Sequence, residues 1–261
     1  MFVSGDVQAL LTAHHVEVAE LLVNRSNLSK APVDRVRRTR ELLHDLHFGD
    51  PDRAEFAARR LWDIHSRITA HDDRAPVRAT DPDLLGVTLV VGLLASATWY
   101  TLMTGFGGRH HVRDRADGMF AAMWPDVGTY RAAVGIPSGH VPEDADAAVT
   151  WAMDLLDRNW TDDEEARRVA GVAIGLTEGY VADRFPAHWQ HALAVPVSGI
   201  EHAVAATAAL TLRGPLEERE RTVTGGLSIE EGLLACHTIR AALAVLPDSA
   251  VTALADTPAR D

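Results

Sequence analysis

The sequence predicts an all-α protein, a single globular multi-helix domain built around one central buried apolar helix. Three observations carry this. Apolar residues recur at three- and four-residue intervals along most of the chain, and runs of alternating β-branched residues are missing. From Leu84 to Gly108 the chain passes twenty-five residues without one Asp, Glu, Lys, Arg or His, although it is 24% charged as a whole. Such a stretch either crosses a bilayer or fills a core.

The elements follow in order. A first helix is read over Val7 to Val23, where Val7, Leu10, Leu11, Val18, Leu21 and Leu22 share helical spacing. A second runs from about Pro32 to His47 and stops near Gly49. A third opens with Asp50 as cap and Pro51 in its first turn, and Ala57, Leu61, Ile64 and Ile68 form its stripe. The central helix is introduced by RATDPDLL, with Asp81 as cap and Pro82 at its start, and ends near Gly105. Val112 to Met123, a short piece to Gly135, and Pro142 to Arg158 come next, with His110-His111 in a loop. Thr161 with Glu164, and Ser228 with Glu231, read as capping boxes of later helices. The total is roughly ten helices in one domain over residues 1–248, followed by a loose tail over 249–261.

About twenty apolar residues suffice to cross a bilayer, so the membrane reading of the central run is weighed first. Thr88, Ser96, Thr98, Thr101 and Thr104 interrupt the run, and basic residues flank both ends alike (Arg74 and Arg78, Arg109 and Arg113). A core helix is therefore expected, with no stable membrane insertion. The start, MFVSGDVQ, lacks the basic and long apolar regions of a signal peptide. A net charge of −12 disfavours nucleic acid and anionic surfaces as partners. The single cysteine, Cys236, excludes an internal disulfide and a multi-cysteine metal site and suits a reducing cytoplasm.

Chemistry must come from polar residues on apolar faces. His14 falls on the stripe of the first helix, four residues from Leu10 and from Val18. His65 lies between Leu61 and Ile68, and Arg38 and Thr39 precede Leu42 on the inward side of the second helix. Each has a plain alternative: a hydrogen-bonded core histidine, or a solvated basic turn. The pairs His44/His47 and His188/His191 have metal-ligand spacing but no carboxylate to complete a site. Asp162-Asp163-Glu164-Glu165 reads as a favourable acidic first turn, and no phosphate-cradling loop or nucleophile elbow occurs.

The order of these segments adds to their meaning. The chain reads GDVQALLTAHHVEVAELLVNRS, DRVRRTRELLHDLHFGDPDRAEFAARRLWDIHSRI, RATDPDLL and ADGMFAAMWPDVGTYRAAVGIP. In this it resembles the MpaB and rubber-oxygenase (latex-clearing protein) family, clearly from about Gly5 to Leu156 and more faintly through Leu212 to Leu246. The resemblance implies a globin-like helical core holding heme b, whose iron activates dioxygen for the cleavage of carbon–carbon double bonds in apolar, isoprenoid-type chains. On it, His14 matches the histidine of the family's Ala-His-Pro stretch, with His15 in place of the proline. Arg35, Arg38 and Thr39 match its Arg-x-x-Arg-Thr stretch, whose cations face heme propionates, and His65 matches a later histidine.

One position departs. Where the family places its iron-ligating histidine, after the DPDLL-like segment, this chain has Leu89, and leucine cannot coordinate iron. Three readings follow. The first is a heme-dependent oxygenase of an apolar substrate, isoprenoid or specialised metabolite, with a relocated ligand. It takes His14 and Thr39 as catalytic, Arg35, Arg38, His65 and Leu89 as cofactor-facing, and His14 or His65 on the metal. The second is a heme-free descendant that binds or rearranges an apolar small molecule as a cyclase or isomerase. The third is a non-catalytic interaction protein. An oxidoreductase is the leading expectation. Oligomeric state is left open, and pairing of exposed apolar faces into a homodimer is compatible with the pattern.

Overall fold

A computed structural model describes residues 2–25, 38, 42, 45, 50–71, 76–105, 107–173 and 199–245. Among the described residues, besides 3-10 turns at Trp124–Asp126 and Gly214–Arg219 and the helical residues 38, 42 and 45, there are eleven continuous α-helices. These are α1 (Phe2–Thr12), α2 (Val16–Arg25), α3 (Pro51–His65), α4 (Pro82–Thr104), α5 (Arg109–Met123), α6 (Val127–Ala133), α7 (Ala145–Arg158), α8 (164–173), α9 (Ile200–Thr211), α10 (Glu220–Val223) and α11 (Ile229–Val245). The fold is an all-α single domain.

The uncharged run is the centre of the molecule. The Asp81 carboxylate accepts the Asp83 N–H at 2.9 Å, Pro82 occupies the first turn, and α4 continues for 23 residues to Gly105. Val87, Val90, Val91, Leu94, Ala95 and Ala97 are fully buried because α1, α5, α7, α9 and α11 all pack on this helix. Among the described residues α4 alone is long and apolar enough to span a membrane, and 61% of its most apolar window lies buried inside the protein.

Glycine sets two of the crossings. At Gly92 the Gln8 side chain of α1 occupies the space a Cβ would need, and its amide donates to the Thr88 carbonyl at 2.8 Å, which ties α1 to α4. At Gly232 a Cβ would run into Ala206 Cβ and lie 2.5 Å from the backbone oxygen of His202. Gly232→Ala must therefore push α11 off α9, and backbone cannot yield as a side chain can. The expected loss is about 1–3 kcal/mol, net of the roughly 1 kcal/mol that alanine gains in a helix. A lowered urea midpoint at unchanged slope would confirm it, and an unchanged midpoint would show that the helices separate freely.

The structure corrects several expectations. The first helix is not continuous over Val7 to Val23: it ends at Thr12 and restarts at Val16. His110 and His111 lie in the first turn of α5 rather than in a loop. A two-stranded hairpin, β1 (Thr69–His71) with β2 (Pro76–Arg78), pairs Ala70 with Val77. The cap of α8 is Asp163, whose carboxylate accepts the Ala166 N–H at 2.8 Å, while the Thr161 hydroxyl donates to Asp163 at 2.9 Å. Thr161 thus braces the cap and is not the cap itself. Ser228 does accept the Glu231 N–H at 3.3 Å, but its hydroxyl partner is Glu230. Asp50 caps α3 as read, yet Ile64 of the predicted stripe is 43% exposed and Ile68 lies past the helix end. The helix predicted over Pro32 to His47 and the tail over 249–261 fall largely or wholly outside the described residues.

Candidate functional site

His14 and His15 are each only 1% exposed, and what buries them is the break between α1 and α2. The last turn of α1 tightens to three-residue bonds, His14 N–H to Leu11 O at 3.2 Å and His15 N–H to Thr12 O at 3.0 Å. The second bond needs an N–H that a proline at position 15 could not supply. The freed backbone then pairs with a distant segment. Val16 N–H donates to Asn159 O at 3.0 Å, Thr161 N–H donates to His14 O at 2.7 Å, and His15 bridges Trp160 in antiparallel fashion. The two histidines consequently sit where α1, α2 and the end of α7 meet.

The His14 ring is held on two sides. Its Nδ1 lies 3.0 Å from the Thr161 carbonyl. A carbonyl only accepts, so Nδ1 carries the proton and Nε2 presents a lone pair. That Nε2 is buried and has no hydrogen-bond partner. The Trp160 indole stacks on the imidazole at 4.5 Å with 1° between the planes. On Trp160 rests the Arg219 guanidinium, 5.0 Å from the ring centre, and Arg219 donates from Nε and Nη2 to Asp157 Oδ1 at 3.1 and 3.0 Å. Both ring nitrogens of His15 are buried without a partner.

Burial dominates the electrostatics. It lowers the pKa of His14 from its ordinary value, against the Thr161 carbonyl and the Asp162 and Asp163 charges, which favour protonation, and with help from the Arg219 charge. It lowers that of His15 to about 4, against a weaker pull from Asp81 and Asp83. Both rings are neutral at pH 7. A neutral, oriented, unpartnered imidazole nitrogen can take a proton or bind a metal.

The other predicted residues are not gathered at this bend. His65 closes α3, half-buried, and α3 packs on α6. Leu89 is 7% exposed in the apolar core, next to Thr88 where α1 crosses α4. Arg38 is helical but exposed, so it does not face inward as read. Arg35, Thr39 and the pairs His44/His47 and His188/His191 lie outside the described residues. Among the described residues no group of three or more His, Cys, Asp and Glu side chains is placed to hold a metal ion. Sequence reasoning passed over His15, Trp160, Asp157 and Arg219. Only the His-His pair standing where the related pattern has His-Pro marked the spot.

Comparison with known proteins supplies one match. Residues 1–225 match the family model described as "ER-bound oxygenase mpaB/B'/Rubber oxygenase, catalytic domain". Searches of curated proteins and of solved structures found no match.

Proposed function

Because the chain belongs to the mpaB/rubber oxygenase catalytic-domain family, we propose that it is a heme-dependent oxygenase of a largely apolar small molecule in which His14, not residue 89, is the iron ligand. One observation carries the reading: His14 Nε2 is buried, bears a lone pair and has no partner. A buried polar atom in that state calls for an explanation, and an iron ion supplies one. The donor therefore fits the group. Heme b would supply the activation of dioxygen.

The chain's own residues do the rest. The Thr161 carbonyl takes the Nδ1–H, which fixes the tautomer and makes Nε2 a better donor. Burial keeps water off that nitrogen and holds the ring neutral. On the resemblance alone Arg35 is assigned to the propionates, Thr39 to a catalytic role and His65 to the place of second candidate donor, while Arg38, being exposed, could reach a propionate only at the protein surface. The apolar wall of α4 favours an apolar substrate. With α4 as a core helix, the cytoplasm is the proposed location and extraction only by detergent would contradict it.

Titration of the purified protein with hemin tests the assignment. The wild type and His65→Ala are expected to give a Soret band shifted from that of free hemin. His14→Ala is expected to lose it while retaining its far-ultraviolet helix signal. His14→Gln repeats the test if the alanine variant does not fold. A wild type that leaves the hemin spectrum unchanged would overturn the reading. One observation favours a heme-free descendant instead, a binder, cyclase or isomerase: the Leu89 side chain lies within the continuous core.

A further inference from the structure

We infer that Trp160 is the positioning residue of His14, clamped between that imidazole and the Arg219–Asp157 pair so that the direction of the Nε2 lone pair is set before any ligand arrives. The inference rests on His14 being the donor to iron. The hydrogen bond to Thr161 decides which ring nitrogen faces the carbonyl, but one bond leaves the ring free to tilt about Cβ–Cγ, a torsion with broad wells. A parallel indole 4.5 Å away removes that freedom. The indole is held in turn, because Arg219 lies over its ring and is itself pinned by two bonds to one carboxylate oxygen.

Simple core filling accounts for this arrangement poorly. Trp160 is only half-buried, and the Arg219 and Asp157 side chains are 40% and 31% exposed. Trp160 packs one side on the core, but the charged pair above it gains little from apolar burial. What the stack does accomplish is a fixed plane for an imidazole whose inner nitrogen is held by a carbonyl and whose outer nitrogen is unpartnered. A ligating imidazole needs that control, and changes to the groups that orient such ligands usually cost about 10–100-fold in metal affinity.

The test uses the full chain and two readouts: the His14 Nδ1–H resonance in 15N-labelled heme-free protein, and hemin affinity from Soret titration. In the wild type the resonance should be sharp and slow to exchange. Trp160→Leu should broaden or abolish it and weaken hemin binding about 10–100-fold, and Trp160→Phe should restore both. The far-ultraviolet helix signal and the urea midpoint of the same variants separate this from lost fold stability, which would lower all four readouts together instead of the resonance and the affinity alone. Should Trp160→Leu fail to fold, Arg219→Gln serves in its place, with a shift in the same direction of roughly two- to fivefold. Wild-type resonance and affinity in Trp160→Leu, or in Arg219→Gln where that variant stands in, would overturn the inference. Hemin binding that needs His14 but ignores Trp160 overturns the inference alone. A resonance lost in Trp160→Leu, in a protein that never binds hemin, overturns the iron assignment and leaves the positioning role standing.

Discussion

Acidification from pH 6.5 towards pH 4 is expected to remove about 3 kcal/mol of folding stability through His15 alone. The native ring resists protonation down to about 4 because burial penalises its cation, whereas the unfolded chain takes the proton near 6.5. Between those values the unfolded state binds more protons. The contribution is therefore complete above pH 6.5, declines as pH falls, and is gone below about 4. His14 is lowered by the same cause and acts in the same direction. Glu17, half-buried beside Asp81, Asp83 and Glu20, has its pKa raised and so opposes the trend at the acid end. Urea denaturation at pH 7 and pH 5 measures the effect, and His15→Gln should flatten most of the difference. Equal midpoints at the two pH values would mean that the His15 ring has a proton partner after all.

The legible and illegible parts of this sequence divide by range. Asp81 with Pro82 and Asp50 with Pro51 were read correctly because a cap acts within its own helical turn. The central helix was legible because five packed helices bury most of it and leave little need for charged residues. The bend at His14 was not, since periodicity continues smoothly from Leu11 to Val18 and the interruption comes from a segment 147 residues away. Local chemistry also competes with itself: Thr161 and Asp163 are both able to cap, and the carboxylate prevails because it accepts the Ala166 N–H directly. His14 was picked out as buried, but on the wrong ground. It is enclosed by Trp160 and Thr161 at the end of a helix, not by the stripe of one.

Leu89→His separates the heme-dependent reading from the heme-free one with the largest single-residue effect expected here. Leu89 is 7% exposed in the continuous core, on the helix that five others surround. The new ring is close to leucine in size, so overpacking is minor. The cost arises from chemistry: about 1–2 kcal/mol of lost apolar burial, and about 1–3 kcal/mol for an imidazole enclosed without a hydrogen-bond partner. Without hemin, the variant should therefore unfold at a clearly lower urea concentration. With hemin, the outcome depends on what borders α4 at this position. If a cofactor pocket adjoins residue 89, iron supplies the missing partner, the Soret band strengthens over the wild type, and much of the lost stability returns by mass action. If the core is closed there, hemin rescues nothing and His14 alone decides whether the spectrum changes. Rescue by hemin combined with an indifferent His14→Ala would place the iron at residue 89's side of the helix and end the case for His14 as its ligand.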